Sequence, residues 1–312
     1  MRAVILVGGE GTRLRPLTLT TPKPLLGIAG RPMIEWVIES LARHGVDDVV
    51  LALAYQPKSF IDAYPDGRIG GVRVRYVVED SPLDTAGALA NAVRACGIDE
   101  TFVAMNGDVL CDIDVTALRA RHAASGWAAT VSLHPVADPS RFGVAVTDGE
   151  GRVQAFLEKP AALETTSRLI NAGVYILEPS ALEHVPAHSR CSLERAVFPE
   201  LAERGVLGSM TSDAYWLDAG TPAALLQANF DFVERSSAGR RTWGNSWIAN
   251  SARVHRSACL ERSIVSPHAI VGKGTRIRDS VVLPHAIVAA GTVVSRALIA
   301  LNVVLPVEPR PA

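Results

Sequence analysis

Several features are scarce in this chain of 312 residues, and each scarcity limits the class of protein. Four cysteines occur, at Cys96, Cys111, Cys191 and Cys259, with no CxxC pair. This usage argues against a disulfide framework. We expect buried or incidental thiols in a reducing compartment, with a metal–thiolate site as the remaining alternative.

Net charge and long hydrophobic runs are also missing. The 31 basic and 32 acidic residues nearly cancel, so no overall field favours nucleic acid or a membrane surface as a partner. The first apolar run, AVILV from Ala3, is too short for the core of a signal peptide, and no stretch of about 18 apolar residues occurs. We expect a cytoplasmic protein in which any phosphate binding is local.

The pattern of apolar runs predicts an α/β fold. From Ala3 to about Leu133, short strand-like runs alternate with helix-like segments, which is typical of a Rossmann-like, mostly parallel sheet flanked by helices. From Gly143 to Lys159 the pattern changes to two strands joined by a glycine-containing turn. We predict a first domain over residues 1–235, a small polar and basic linker over 236–242, and a second domain over 243–312.

The second domain contains an internal repeat. The stretch from Leu260 to Arg276 is followed by one from Ile277 to Val293, and about half of the aligned positions are identical. Apolar residues recur every five or six positions, which predicts a parallel β-helix for capping and subunit contact. This repeat resembles the left-handed hexapeptide-repeat β-helix. An acyltransferase with His268 or His285 as base is the alternative, but both histidines occupy equivalent positions of a repeated PHA.

A glycine-rich loop directly follows the first predicted strand. The run VGGEGTRLRP, from Val7 to Pro16, has three glycines and two arginines. It does not fit a dinucleotide-binding GxGxxG motif, because the third glycine would fall at Leu14. It does not fit a Walker phosphate loop either, because the terminal GK[ST] of that motif is absent. The residues therefore predict an anion-binding loop of another type.

Motifs in the same order along the chain identify a family. The glycine loop and TPKPLL are followed by PLDTAGALA (82–90), NGDV (106–109), FGV (142–144), FLEKP (156–160), NAGVYI (171–176) and WLDAGTP (216–222). Together they resemble the sugar-1-phosphate nucleotidylyltransferases over roughly 220 residues. Within that family, VGG, TLTTPKPL, AYQP, SLERAVFPELA and the β-helical tail are most similar to the GDP-mannose pyrophosphorylases.

The resemblance implies transfer of a nucleotidyl group to a sugar 1-phosphate with release of pyrophosphate. This reaction needs charge neutralisation and alignment rather than a general base. Asp108 and Asp218 each follow a predicted strand and are the expected Mg²⁺ ligands. With them, the resemblance implies catalytic roles for Arg13, Lys23 and Lys159.

The remaining expected contacts fall into two sets. The nucleotide set, which also includes Arg13 and Lys23, is Leu6, Gly8, Gly9, Gly11, Thr12, Gln56, Asp84, Thr85, Gly87 and Asn106. The sugar-phosphate set is Gly143, Glu158, Lys159, Asn171 and Gly173. Asp84 stands where the family usually has glycine; its carboxylate would either accept hydrogen bonds from guanine, narrow the pocket or point to solvent.

The resemblance makes GTP and mannose 1-phosphate the leading substrates. Another base, such as dTTP or UTP with a glucose phosphate, or a different sugar or cyclitol 1-phosphate, is an alternative. A non-catalytic regulatory subunit that binds nucleotide sugar is another. We also expect a homo-oligomer, a dimer or larger, assembled through the β-helix.

Overall fold

The structure is a computed structural model that describes residues 1–161, 164–235, 240–301 and 303–308. The chain divides into two compact units. The first comprises Met1–Gly9 and Val37–Trp216, and the second comprises Glu10–Trp36 and Leu217–Ala312. Of the predicted linker, residues 236–239 lie outside the described residues and 240–242 belong to a strand. The predicted domain limits stay predictions.

The α-helices follow in chain order. They are α1 (Met33–Arg43), α2 (Pro57–Ala63), α3 (Asp84–Cys96), α4 (Val115–Ser125), α5 (Phe198–Glu203) and α6 (Pro222–Arg235). Short 3₁₀ turns cover Thr12–Leu14, Leu17–Leu19, Lys23–Leu25 and Pro179–Leu182, and a π-helical turn covers Leu193–Val197.

The strands are shorter and more numerous. Those before residue 100 are β1 (Arg2–Leu6), β2 (Gly27–Ile28), β3 (Arg31–Pro32), β4 (Asp48–Leu53), β5 (Arg68–Ile69) and β6 (Val72–Val78). The next are β7 (Phe102–Asn106), β8 (Val109–Cys111), β9 (Ala129–Pro135), β10 (Gly143–Thr147), β11 (Val153–Glu158), β12 (Leu169–Leu177), β13 (Leu207–Thr211) and β14 (Trp216–Asp218). The β-helical strands are β15 (Arg240–Trp243), β16 (Ser246–Ala249), β17 (Arg253–Val254), β18 (Cys259–Glu261), β19 (Ile264–Val265), β20 (Ile270–Val271), β21 (Arg276–Arg278), β22 (Val281–Val282), β23 (Ile287–Val288), β24 (Val293–Ser295), β25 (Ala297–Ala300) and β26 (Val303–Pro306).

The first unit contains one mixed sheet in the order β11-β10-β12-β7-β1-β4-β6-β5, with β9 and β13 joined through β12. At its centre β4, β1 and β7 are parallel, and β1 buries Ala3, Val4 and Ile5 completely. Such central strands are apolar on both faces because both faces are covered. The predicted α/β fold is confirmed, and the predicted pair of strands over 143–159 is the antiparallel pair β10 and β11.

This register places several loops at one edge of the sheet. Leu6, at the carboxyl end of β1, pairs with Ala52 of β4 and with Asn106 of β7. In an open α/β sheet, ligands bind beyond the carboxyl ends of the parallel strands. The first residues of the glycine loop, the loop after β4 and the turn after β7 therefore leave the sheet at the edge where a site is expected.

The second unit contains a parallel β-helix. Successive coils pair Trp247 with Ile264, Ile264 with Val281, and Val281 with Leu298, so one coil takes 17 residues. Its core is lined by side chains from equivalent positions, which are Ile248, Val265, Val282 and Ile299. The regular pairing confirms the predicted repeat. The coils stack because no single coil could bury these side chains alone.

The histidines of the repeated PHA lie at corners of the coils. His268 and His285 have φ values of 60° and 62°, and their rings stack with centroids 5.0 Å apart. The preceding prolines contact the β2–β3 hairpin, where a Cβ at Gly30 would lie 2.7 Å from Pro267. Coil geometry accounts for both positions.

Helix α6 holds the hairpin in place within the second unit. Asn229 is fully buried; its Oδ1 accepts the Ala29 N–H at 2.9 Å and its Nδ2 donates to the Gly27 carbonyl at 3.2 Å. Helix α6, which ends at the predicted limit of the first domain, thus packs in the same unit as the β-helix.

Candidate active site

The glycine loop begins in the first unit, where two glycines follow β1. A Cβ at Gly8 would lie 3.2 Å from the Ala54 Cβ and 3.7 Å from Oε1 of Glu79. A Cβ at Gly9 would meet no atom of the described residues within 4 Å, so this backbone is open to a ligand. Missing Cβ atoms let backbone N–H groups approach phosphate oxygens closely.

The loop continues in the second unit with a tight turn. Gly11 has φ 61°, and a Cβ there would lie 2.9 Å from Cγ2 of Thr18. The Thr18 hydroxyl donates to the Gly11 carbonyl at 2.9 Å. Thr12 and Arg13 form the 3₁₀ turn that follows. Glycine at position 11 is required both by the left-handed backbone and by the space.

Three predicted catalytic side chains meet in the second unit. Lys23 is only 6% exposed, and its Nζ lies 3.4 Å from Oδ1 of Asp218. Nη2 of Arg13 lies 3.9 Å from the other carboxylate oxygen of Asp218. A Cβ at Gly220 would lie 2.5 Å from that nitrogen, so Gly220 leaves room for the guanidinium. Two cations thus converge on one half-buried carboxylate.

Asp108 lies in the first unit, in the two-residue turn between β7 and β8, and is half-buried. Gly107 allows this turn to approach β1, because a Cβ there would lie 2.4 Å from Cγ1 of Val7. The Gly107 N–H donates to the Leu6 carbonyl at 2.9 Å. The turn therefore fixes Asp108 beside the start of the glycine loop.

A polar cluster lies beside this turn. A register shift in β12 separates Asn171 from Tyr175, and Gly173 between them has φ 75°. Oδ1 of Asn171 accepts the Gly173 N–H at 2.9 Å. A Cβ at Gly173 would lie 2.8 Å from Nδ2 of Asn106. The bulge therefore brings Asn171 and Gly173, predicted for the sugar phosphate, next to Asn106, predicted for the nucleotide.

Tyr175 holds this cluster together and was not predicted from the sequence. It is completely buried, and its hydroxyl accepts a hydrogen bond from Nδ2 of Asn171 at 2.9 Å. Burial raises the pKa of Tyr175 well above its ordinary value, with a further rise from the charge of Glu194. The phenol therefore stays neutral and positions Asn171. Its place four residues after Asn171 in NAGVYI was the available signal.

The other predicted sugar-phosphate residues lie on the β10–β11 pair. Gly143 pairs with Glu158, and a Cβ at Gly143 would lie 3.1 Å from Oε2 of Glu158. Nζ of Lys159 lies 3.2 Å from Oε1 of Glu158, and the lysine side chain is 58% exposed. Lys159 also has φ 52°, so a left-handed residue directly follows the strand.

The residues expected around the base have different local roles. Gln56 precedes α2 with φ 47°, and its Nε2 donates to the Tyr55 hydroxyl at 2.9 Å. The Thr85 hydroxyl donates to Glu194 at 2.7 Å and accepts the Leu193 N–H at 2.8 Å. A Cβ at Gly87 would lie 2.5 Å from the Ser189 carbonyl. Thr85 and Gly87 therefore fix the start of α3 against the chain segment near residue 190.

Asp84 has a left-handed backbone, with φ 63°. Glycine adopts this conformation without steric cost, and aspartate is one of the few other residues that tolerate it. The Asp84 carboxylate is exposed and accepts the N–H of Thr85 at 2.9 Å. The backbone conformation explains why glycine is usual here and why aspartate is an acceptable replacement.

Glu79 is a further buried residue that the sequence did not indicate. It is 8% exposed, and its Oε2 accepts the Leu83 N–H at 2.8 Å. Burial raises the pKa of Glu79, and the hydrogen bond from Leu83 lowers it in part. This carboxylate fixes the loop before α3, and its other oxygen lies 3.7 Å from the position that a Cβ on Gly8 would take.

Each unit thus presents its own set of predicted residues. The first brings together Asn106, Asp108, Asn171 and Gly173, and the second brings together Gly11, Arg13, Lys23 and Asp218. Over residues 1–161, 164–235, 240–301 and 303–308, no group of three or more His, Cys, Asp or Glu side chains is arranged to hold a metal. A magnesium ion would have to rely on single carboxylates together with substrate oxygens.

Comparison with known proteins identifies the class. The model of the family described as "Nucleotidyl transferase" matches residues 2–235, and that described as "GlmU-like, C-terminal hexapeptide" matches residues 228–309. The chain therefore belongs to the nucleotidyl transferase family, which is a family of enzymes, and it carries a hexapeptide-repeat domain of the left-handed β-helix type.

Individual relatives narrow the comparison. The chain is 38% identical over 282 residues to a mannose-1-phosphate guanylyltransferase of Mycobacterium tuberculosis, and the match covers 88% of this chain and 77% of the relative. It is 36% identical over 288 residues to a mannose-1-phosphate guanyltransferase of Schizosaccharomyces pombe, covering 88% and 74%. The crystal structure of HddC from Yersinia pseudotuberculosis complexed with GMP-PN has a TM-score of 0.64 at 29% identity, covering 74% of this chain and 99% of HddC.

One further finding concerns membranes. Within the described residues, no helix is both long and apolar enough to span a bilayer.

Proposed function

We propose that this protein transfers a guanylyl group from GTP to mannose 1-phosphate, which yields GDP-mannose and pyrophosphate. The observation that carries the proposal is its similarity to mannose-1-phosphate guanylyltransferases over 88% of the chain. The intact set of Arg13, Lys23, Asp108, Lys159 and Asp218 supports an active enzyme rather than a silent regulatory subunit.

In the proposed reaction, an oxygen of the sugar phosphate attacks the α-phosphorus of the nucleotide, and the bond to the β-phosphate oxygen breaks. The attacking oxygen is already ionised near neutral pH, so no side chain has to remove a proton. The protein has to align two polyanions and neutralise the charge that develops on the leaving pyrophosphate.

The side chains of the second unit suit the leaving group. The Arg13 guanidinium is 54% exposed and lies 3.9 Å from its carboxylate partner, so it is free to bind phosphate oxygens in a bidentate manner. Lys23 is buried, and its contact with Asp218 at 3.4 Å is long for a charge-assisted hydrogen bond. We propose that both cations turn to the triphosphate when it binds.

We propose Mg²⁺ as the cofactor, with Asp108 and Asp218 as its protein ligands. Carboxylate oxygens suit this ion, which keeps several waters or substrate oxygens in its coordination shell. Asp218 contacts only the two cations at more than 3 Å among the ion pairs of the described residues, so its oxygens become available once those cations bind phosphate. The ion would neutralise phosphate charge.

The residues of β10, β11 and β12 are proposed to bind the sugar phosphate. The exposed ammonium group of Lys159 suits the phosphate, and Glu158 suits sugar hydroxyls as an acceptor. Asn171, held by Tyr175, offers a fixed amide beside the backbone of Gly173.

We also propose that the protein forms a homo-oligomer through its β-helix. The outer face of the sheet β17-β20-β23 exposes Ile270 at 40% and Ile287 at 56%. Adjacent exposed apolar side chains of this kind are typical of contact surfaces. A cytoplasmic location stays a prediction.

The proposal is tested by an activity matrix. The purified protein with Mg²⁺ is incubated with each of GTP, ATP, UTP and dTTP and with mannose, glucose and cyclitol 1-phosphates, and pyrophosphate is measured. We expect release only when both substrates are present, and fastest with GTP and mannose 1-phosphate. Faster turnover of another pair would show that the proposed substrates are wrong. No pyrophosphate release from any combination would refute the proposed enzymatic activity.

A further inference from the structure

A cavity of about 320 Å³ lies within the second unit, between α6 and the β-helix. One face of α6 forms its apolar wall through Ala223, Leu226 and Phe230, and Val307 closes it. The opposite wall carries Arg262, Asp279 and Arg296. The cavity therefore combines an apolar side with a charged side, as small-molecule sites do.

The charged wall is a column of equivalent coil corners. Arg262, Asp279 and Arg296 are 17 residues apart in sequence and have φ values of 42°, 48° and 51°. The repeat places them one above another, because each coil takes the same number of residues. No predicted function of the chain uses this column.

The charges in the column do not balance. Both carboxylate oxygens of Asp279 are occupied, by Nε of Arg262 at 2.5 Å and Nε of Arg278 at 3.3 Å. Arg296 forms no ion pair among the described residues, and its buried Nε has no hydrogen-bond partner there. Its Nη2 makes one long contact, 3.4 Å, to the Glu308 carbonyl. A buried donor without a partner is costly, and an anion would satisfy it.

From these observations we infer that the cavity is an effector site for a small organic oxyanion, a carboxylate or phosphate monoester on an apolar body. The oxyanion binds Arg296 in a charge-assisted manner, and the apolar body packs against Leu226, Phe230 and Val307. This site is separate from the substrate residues and does not depend on the proposed reaction.

The position of the cavity gives the ligand a route to Asp218. Helix α6 forms one wall, and Thr221, which caps α6 by accepting the Ala224 N–H at 3.2 Å, lies three residues after Asp218. The same helix holds the β2–β3 hairpin through Asn229, just after the turn that carries Lys23. A ligand against α6 therefore biases the loop that leads to the carboxylate.

Hydrogen exchange of the full-length protein tests the site without nucleotide. Phenyl phosphate and benzoate are the two probes, which separate phosphate monoesters from carboxylates. We expect one of them to slow exchange in α6 and in residues 296–308 and to change exchange at 217–221. Arg296→Gln should weaken that binding at least about tenfold, since it removes a charge-assisted contact.

Two variants make the test decisive. Arg276→Gln is the matched control, because Arg276 is an exposed arginine of the same β-helix that does not line the cavity; its binding should equal that of the unmodified protein. Phe230→Ala replaces Arg296→Gln if the latter is unfolded by circular dichroism, and it should also weaken probe binding because it removes part of the apolar wall. No slowing by either probe, or equal weakening by the control, would overturn the site, and binding without a change at 217–221 would overturn its role as an effector site.

Discussion

The contact between Lys23 and Asp218 predicts a measurable coupling in stability. A buried lysine needs a nearby negative charge, so Asp218→Asn and Lys23→Met should each destabilise the protein, and the double variant should lose less than their sum. At 3.4 Å, two unit charges attract by about 5 kcal/mol at an effective dielectric constant of about 20. Because Asp218 is 28% exposed, desolvation and solvent screening reduce the net coupling to about 1–2 kcal/mol.

Urea denaturation of the two single variants and the double variant gives this coupling as a double-mutant cycle. The matched control is the pair Lys58 and Asp62, whose atoms are closer, at 2.6 Å, but whose side chains are 84% and 59% exposed. The corresponding cycle should give about 0.3–0.5 kcal/mol, as exposed helix pairs do. A coupling for Lys23 and Asp218 no larger than that of the control pair would refute the importance of burial.

Three further predictions concern the site and the assembly. Asp108→Asn should lower kcat by several orders of magnitude while the circular dichroism spectrum stays unchanged. Near-normal activity would show that Asp108 is not a ligand of the metal. Gly173→Ala should cost about 1–2 kcal/mol for its left-handed backbone and raise the KM for GTP by displacing Asn106, whereas Gly149→Ala, at an open position, should do neither. Ile287→Glu should lower the oligomeric mass in light scattering, and an unchanged mass would contradict assembly through that face.

The fold was predictable where a local period carries the information. The repeated PHA and the regular apolar spacing predicted the β-helix, because each coil is built from its own short segment and contacts only its neighbours. Glycine loops and strand ends likewise indicated one edge of the sheet in the first unit. The sequence period did not reveal that a column of charged corners would face α6.

Contacts between distant segments were not predictable. Asn229 binds Gly27, 202 positions away, and this pairing helps place residues 10–36 in the unit that contains the β-helix. Thr85 binds Glu194 across 109 positions. No spacing rule connects such residues, because their proximity depends on the complete packing of both segments.

Backbone conformation was the other missing information. The motif comparison marked Asp84 as a departure from glycine and left open a contact with guanine, a narrower pocket or a carboxylate in solvent; the structure gives a left-handed residue with an exposed carboxylate. Tyr175 was harder to predict for a related reason: in sequence it is one more apolar strand residue, and its hydrogen bond with Asn171 spans the register shift in β12.

Phosphorus labelling follows the two halves of the nucleotide separately and so tests nucleotidyl transfer itself. The protein is incubated with Mg²⁺, mannose 1-phosphate and GTP labelled at either the α- or the γ-phosphorus. We expect the α-label to enter GDP-mannose and the γ-label to leave as pyrophosphate, because the bond between the α-phosphorus and the bridging oxygen breaks. Release of the γ-label as inorganic phosphate, or an α-label that never joins the sugar, would contradict nucleotidyl transfer.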